Sequence, residues 1–152
     1  MEKLTLKEIA GYSDYNLQFQ VGTKSANNIR KYVMEGFCKS KGNISIKSSG
    51  NTHIELIENI KPILYPLEML TKPIVHNGVE IIPLVKHVES FGEPCDDFDE
   101  NNLTDYQYAV LEMLSNRDMR HQDDLEFLQE HHFDYQDLIK SGKAIDKSKL
   151  KP

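Results

Sequence analysis

The sequence predicts an α+β fold, in which a small and mainly antiparallel sheet fills the N-terminal two thirds and two or three helices follow. Apolar and polar residues alternate over 15–21, a pattern typical of a half-buried strand. Asn77-Gly78 lies between two runs of β-branched residues, which predicts a tight hairpin. Beyond residue 103, apolar residues recur at helical spacing, so the helices are expected at the C-terminal end.

The composition fits one globular domain. The chain has 152 residues, of which 39% are apolar and 28% charged, and such a length is ordinary for a single core. No apolar run approaches the roughly 20 residues that a membrane-spanning helix needs, and the charged N-terminus is unlike a signal peptide. Cys38 and Cys95 stand far apart and are expected to be free thiols. We therefore expect a cytoplasmic protein.

The N-terminal elements follow from short local patterns. Thr5 and Glu8 form a capping-box pattern, which predicts a helix from Leu6 to Gly11. A polar loop is expected over 22–28 after the first strand. Further strands are expected over 29–34, 44–47 and 53–57, with a hairpin turn at 48–51 between the last two.

Prolines shape the next stretch. Three prolines within 58–73 preclude a long helix there, although Pro66 suits the first position of a single turn through Leu70. The Asn77-Gly78 hairpin is expected over 74–82, and a short helix after Pro83 through Val88.

Capping residues also place the C-terminal helices. Thr104 with Gln107 predicts the start of one helix, and a second carries Leu125, Leu128 and His132. Asp134 is expected to cap a short third helix through Lys140, with Gly142 as the residue after its end. The inner stripe expected for the first of these helices is Tyr106, Val110, Met113 and Leu114.

A single domain over 1–152 is therefore expected, with a β-rich part (1–88), an acidic linker (89–102), a helical part (103–142) and a frayed basic tail (143–152). We call residues 89–102 the acidic segment. The predicted core comprises Leu17, Phe19, Val33, Ile54, Leu56, Ile81, Val110, Leu114, Leu125, Leu128 and Leu138.

Charge is unevenly distributed along the chain. The net charge of −6 combines +3 over residues 1–88, −13 over 89–137 and +4 over 138–152. A segment this acidic repels phosphates and attracts basic surfaces. One interpretation is that the acids coat the solvated faces of helices and a loop. Another is an acidic docking surface for a cationic partner.

The docking hypothesis names specific side chains. Phe91 and Phe98 would serve as aromatic anchors within an acidic rim, although both would equally fit as core residues that pin the linker down. Asp123 and Asp124 also suit the positive end of a helix, which explains them without a partner. The candidate partner-binding residues are Phe91, Asp96, Asp97, Phe98, Asp99, Glu100, Asp123, Asp124 and Glu126.

No motif for catalysis, a metal or a cofactor is present in the sequence. The positions four residues before His131 and His132 hold Phe127 and Leu128, so that helix lacks the ligand pair of a zinc site. The run over 96–100 lacks the glycine and ligand order of a calcium loop. We therefore expect a protein that is not an enzyme and has no cofactor, while a histidine, cysteine or carboxylate cluster formed only in space stays open.

A basic run in the N-terminal half suggests a different partner. Tyr32 and Phe37 are interleaved among its cations, as in surfaces that hold phosphates and stack bases. The alternatives are lysines decorating an open sheet face, or a positive half that pairs with the negative half within the fold. Because the chain is acidic overall, direct nucleic-acid binding is not the favoured interpretation. The run comprises Lys24, Arg30, Lys31, Lys39, Lys41 and Lys47.

Three blocks carry a family resemblance. They are IKPILYPLEMLTK over 60–72 with HNG at 76–78, HFDYQDLIKSGKAID over 132–146, and LTLKEI over 4–9. In these blocks the chain resembles small uncharacterised proteins of phages and prophages of Bacteroidetes-type bacteria. The resemblance covers about half of the chain, excludes the acidic segment and carries no catalytic residues. It implies a shared fold and the cytoplasm of a bacterial host.

Together these observations suggest a non-enzymatic phage accessory protein that binds a cationic host protein. An anti-defence role is the specific hypothesis, in which the acidic surface competes with nucleic acid for a nuclease of the CRISPR type. Alternatives are a phage structural or morphogenesis component, and a regulator that binds nucleic acid through the basic face over Lys24–Lys47.

Overall fold

Strands and helices are segregated along the chain, which confirms the predicted α+β class. The computed structural model describes residues 2–21, 32–37, 43–48 and 51–151, with side chains over 2–21 and 57–151. Its helices are α1 (Leu6–Ile9), α2 (Pro83–Ser90), α3 (Asp105–Ser115) and α4 (Gln122–Glu130). Its strands are β1 (Gln18–Val21), β2 (Tyr32–Phe37), β3 (Asn43–Ser48), β4 (Asn51–Leu56), β5 (Ile60–Leu64), β6 (Ile74–His76), β7 (Val79–Ile81) and β8 (Ile145–Asp146).

These elements belong to two compact units. The first unit comprises Met1–Tyr65 and Gln136–Pro152, and the second unit comprises Pro66–Tyr135. The first unit contains a six-stranded sheet with the order β4-β3-β2-β1-β5-β8. The second unit contains the β6–β7 hairpin and helices α2 to α4. Among the described residues, every helix falls short of the length and apolar character that a membrane-spanning helix needs.

The first helix begins where its capping box predicts. The Thr5 hydroxyl accepts a hydrogen bond from the backbone N–H of Glu8, and the Glu8 carboxylate accepts one from the backbone N–H of Thr5 at 2.7 Å. The α-helix ends at Ile9 and continues as a 3-10 turn over Ala10–Tyr12, rather than reaching Gly11 as one helix. Asn16 adopts a left-handed φ of 54°, which interrupts extended backbone. The first strand therefore begins at Gln18, not at Tyr15.

Five strands of the large sheet are antiparallel and the sixth is parallel. Strands β3 and β4 pair from Asn43↔Leu56 to Ser48↔Asn51, which confirms the predicted hairpin, while its turn residues 49 and 50 lie outside the described residues. The loop predicted over 22–28 and the first three residues of the strand predicted over 29–34 also lie outside them. The parallel neighbours are β5 and β8, with Ile63 opposite Ile145.

Strands β5 and β8 were not predicted from the sequence. Both form through pairing with strands that are distant along the chain. Pro62 lies within β5 opposite Phe19, although proline has no N–H to donate and is disfavoured inside sheets. The ladder from β5 to β8 begins one residue later, at Ile63, so it needs no donor from Pro62. The sequence predicts a frayed tail over 143–152, whereas the structure has β8 and a 3-10 turn at Lys147–Lys149 there.

The β6–β7 hairpin forms as its central dipeptide predicts. Asn77 and Gly78 both have positive φ, at 51° and 78°, which is the requirement of a type I′ turn.

Pro66 precedes a 3-10 helix over Leu67–Thr71, confirming the single turn expected there. Helix α2 begins at Pro83, also as expected, and extends two residues beyond Val88.

Helix α3 has the predicted capping box but a different inner face. The Thr104 hydroxyl accepts from the backbone of Gln107, whose side chain bonds back to the backbone N–H of Thr104. Val110 and Leu114 are buried as predicted, but Tyr106 is 44% exposed, so its place in the inner stripe is wrong. Gln107 takes that place, because positions 107, 110 and 114 share one helix face.

The third C-terminal helix does not form. Asp137 adopts a left-handed φ of 58°, which a continuous helix excludes. Gly142 still has the predicted role, with a φ of 76°. The N–H of Gly142 donates to the carbonyl of Ile139 and the N–H of Lys143 to that of Leu138, the two bonds that close a Schellman turn.

The predicted core is largely correct where side chains are described. Ile81 and Leu125 are only half-buried, while the side chains of Val33, Ile54 and Leu56 lie outside the described residues. The predicted core residues that are buried are Leu17, Phe19, Val110, Leu114, Leu128 and Leu138.

Candidate functional site

Charge is divided unevenly between the two units, as it is along the sequence. The second unit contains 16 acidic and 4 basic residues, a balance of −12. The first unit contains 8 acidic and 14 basic residues, a balance of +6. The acidic segment lies wholly within the second unit, so its charge adds to that of the surrounding helices.

Four carboxylates of the acidic segment point to solvent. Asp96, Asp97, Asp99 and Glu100 are all exposed, and none forms an ion pair with a residue that the structure describes. Asp99 accepts a hydrogen bond from the backbone N–H of Asn101, which leaves its charge uncompensated. The segment begins within the last turn of α2 and is irregular from Phe91 to Asn102.

The two phenylalanines of this segment differ in exposure. Phe91 is 44% exposed, and its ring meets the His87 ring edge-on at 4.9 Å between centroids. Phe98 is half-buried. Between them Cys95 is buried, and its Sγ accepts a hydrogen bond from the Gln107 side chain at 3.5 Å. Cys95 therefore ties the middle of the acidic segment to α3.

The remaining predicted acids separate into two environments. Asp123 and Glu126 are exposed on α4, as an acidic surface requires. Asp124 is buried, which removes it from the predicted surface. Its neighbours explain this, because Asp124, Phe127 and Leu128 form the inner face of α4. The sequence prediction counted only apolar residues toward that face and therefore missed a buried carboxylate.

Asp124 is hydrogen-bonded within the second unit. Its Oδ1 lies 2.8 Å from Nε2 of His87, and its Oδ2 accepts from the backbone N–H of His121 at 2.9 Å. The side chains of His87 and Asp124 are 4% and 1% exposed. A buried carboxylate with both oxygens bonded is a structural tie between α2 and α4.

Six aromatic rings of the second unit follow one another from α2 to the residues after α4. Their centroids lie 4.9, 4.3, 4.2, 4.6 and 5.6 Å apart along the series. We call this series the ring stack. No signal in the sequence pointed to it, because its members come from three elements. In order, they are Phe91, His87, Phe127, His131, His76 and His132.

His131 lies in the middle of the ring stack. Its Nδ1 is 2.8 Å from the carbonyl oxygen of Phe127, and its Nε2 is buried without a hydrogen-bond partner among the described residues. Burial lowers the pKa of His131 below its ordinary value of 6.5, and the carbonyl of Phe127 and the charge of Glu130 oppose this only in part.

The structure gives little support to three other candidate sites: a metal site, a cleft in the first unit and the basic run. Within the described ranges, no group of three or more histidines, cysteines and carboxylates is arranged to hold a metal ion. The first unit has a cleft of about 360 Å³, where Lys3 is paired with Glu58 at 2.8 Å and Lys143 approaches Glu2 at 3.5 Å. The side chains of the basic run Lys24–Lys47 lie outside the described residues.

No protein-family model, curated protein or solved structure matches this chain. The resemblance to phage and prophage proteins therefore stays a prediction.

Proposed function

We propose that this chain is a non-enzymatic accessory protein that binds a positively charged partner protein through its acidic segment. One observation carries the proposal: Asp96, Asp97, Asp99 and Glu100 are exposed together, and none forms an ion pair with a described residue. Four carboxylates within the five residues 96–100 repel one another, and a cationic surface relieves that repulsion.

Phe91 strengthens the case for a protein partner. Its ring is 44% exposed and belongs to the same segment as the four carboxylates, so the segment offers both an apolar anchor and acidic charge. Its inner edge packs on His87, so the anchor is already held in place before a partner binds. A preorganised aromatic side chain loses little conformational entropy on binding.

The chemistry of the partner follows from that of the surface. A row of carboxylates resembles a row of phosphates in charge, so a protein with a nucleic-acid channel is the natural candidate. With the phage resemblance, this favours a host nuclease and an anti-defence role.

The test replaces Asp96, Asp97 and Asp99 by Asn and Glu100 by Gln. Wild-type and variant proteins carrying an affinity tag are used to capture partners from the bacterial host, and each captured protein is then titrated over a salt series. We expect the variant to lose affinity and to show a flatter dependence on salt, because fewer charges take part.

A matched control keeps the change in net charge but moves it elsewhere on the same unit. Its substitutions are Glu68→Gln, Glu80→Gln, Glu112→Gln and Asp118→Asn, all at exposed positions. Equal binding by wild type, variant and control would contradict docking through the acidic segment. Self-assembly instead of capture would favour a structural component, and co-purified RNA or DNA would favour a nucleic-acid regulator.

A further inference from the structure

The hydrogen bonds of His131 determine which nitrogen carries its proton. The Phe127 carbonyl only accepts, so Nδ1 at 2.8 Å must be the donor. In the neutral ring Nε2 is then a bare lone pair, and it is buried with no partner in the described part of the chain. The native structure thus holds a neutral His131 with one fixed tautomer.

Protonation of His131 Nε2 would destabilise the folded chain at this site. It adds an N–H without an acceptor and places a positive charge between Phe127 and His76, whose rings lie 4.2 and 4.6 Å away. A buried donor without a partner and a buried charge without a counterion are both strongly unfavourable. A neutral His131 fits the ring stack, whereas a charged one does not.

Charged and titratable groups lie around His131 on α2, on α4 and in β6. Lys86 and His87 on α2 oppose a positive charge, and Glu130 on α4 favours one. His76 of β6 and, through it, His132 add two more rings that can themselves take up a proton. His87 differs from His131, because the carboxylate of Asp124 gives it a partner in either form.

We infer that the ring stack is an acid-sensitive latch, which holds the second unit together while His131 is neutral and loosens when His131 takes up a proton. The stack joins β6, α2 and the end of α4, so a disturbance at its centre reaches each of these elements. The inference does not depend on the proposed function.

The pH range follows from the direction of the shift. The pKa of His131 is lower in the folded chain than its ordinary value of 6.5, so the unfolded chain binds more protons just below pH 6.5. The stabilisation is therefore complete above pH 6.5 and is lost as the pH falls from there toward the lowered value. A single proton taken up on unfolding raises the unfolding equilibrium constant by up to about tenfold per pH unit.

Other acid-sensitive groups act in a lower range. The carboxylates of Glu8 and Asp146 in the first unit have pKa values lowered from 4.5 and 3.8, so they stay ionised where His131 responds. Unfolding of the full chain between about pH 8 and pH 5 therefore separates the latch from general acid denaturation.

The first experiment measures urea unfolding of the full chain across that range for wild type, His131→Asn and His131→Phe. The amide of Asn can donate to the Phe127 carbonyl as Nδ1 does, and Phe keeps the ring, but neither side chain titrates. We expect a steep loss of stability in the wild type and a shallower one in both variants. His121→Asn, at an exposed position before α4, is the control and should keep the wild-type slope.

The second experiment uses no substitution and so does not depend on a variant that folds. Nitrogen-15 NMR of the imidazoles in the wild-type chain reports the tautomer and the protonation of each histidine. We expect His131 to remain the Nδ1–H tautomer below pH 6.5, and the signals of the second unit to lose dispersion as it becomes charged. Titration of His131 near 6.5 with the second unit unchanged, or variants with the wild-type slope, would overturn the latch.

Discussion

Nε2 of His87 lies 2.8 Å from Oδ1 of Asp124, although 37 residues separate the two in sequence. The other carboxylate oxygen accepts from the backbone N–H of His121, so a single side chain ties α2 to the start of α4. This carboxylate looks in sequence like its exposed neighbour Asp123. The structure gives the two residues opposite roles, one in the interior of the second unit and one on its surface.

That difference is testable by substitution. Asp124→Ala leaves the N–H groups of His87 and His121 without their acceptor, and we expect the free energy of unfolding to fall by about 3 kcal/mol. Asp123→Ala removes an exposed carboxylate and is the matched control, with an expected change of about 0.5 kcal/mol or less. Urea denaturation followed by circular dichroism measures both. Equal effects from the two substitutions would contradict the buried tie.

Glu8 makes the stability of the first unit depend on acid. Burial alone would raise the pKa of Glu8, but hydrogen bonds from Lys143 and from Thr5 outweigh it and hold the pKa below 4.5. The stabilisation is therefore present above pH 4.5 and is lost as the pH falls through the lowered value. Lys143 Nζ lies 2.7 Å from Glu8 Oε1, so Lys143 is the ion-pair partner of Glu8.

Glu8→Gln removes the ion pair but keeps the helix cap, because the glutamine side chain still accepts a hydrogen bond from the backbone N–H of Thr5. We expect a loss of about 1 kcal/mol in unfolding free energy at neutral pH and a weaker dependence on pH below 4.5. Thermal unfolding over a pH series measures this. Glu2→Gln, at a residue that is 90% exposed and 3.5 Å from Lys143, should leave the profile unchanged. An unaltered acid profile in Glu8→Gln would exclude this role.

The short parallel strand β8 should contribute measurably to the first unit. Ending the chain at Ala144 removes β8 but keeps Lys143, and it uncovers one side of Ile63 and Leu64, which are fully buried. We expect the melting temperature to fall by about 5 °C, since a lost strand exposes apolar surface. Ending the chain at Leu150 removes only Lys151 and Pro152 and should have no effect. Equal melting temperatures for both truncations would mean that β8 does not stabilise the sheet.

Some features of this protein depend on residues within a few positions of one another, and these the sequence predicts well. The capping boxes at Thr5 and Thr104 need only a partner three residues on, and both form. Asn77-Gly78 and Gly142 adopt positive φ where the pattern places them. Each of these features satisfies backbone groups locally, so no distant contact is required to decide it.

The exposed part of the candidate site can also be predicted from the sequence. Asp96, Asp97, Asp99 and Glu100 lie in a run without an apolar period, and such a run is seldom buried. Phe91 could not be assigned in this way, because a single aromatic residue in a loop packs inward or outward according to its neighbours. In the structure it packs against His87 and stays 44% exposed.

What only the tertiary structure decided depends on groups far apart in the chain. Pro62 lies in a strand, against its own preference, because β1 pairs with it on one side, while β8 pairs with the following residues Ile63 and Leu64 on the other. Asp124 is buried because His87 and His121 satisfy both of its oxygens, a compensation that its local sequence does not contain. The ring stack likewise joins residues 76, 87 and 131, and burial within it lowers the pKa of His131. Local chemistry determined the turns and caps, whereas desolvation and long-range pairing decided which polar groups lie inside.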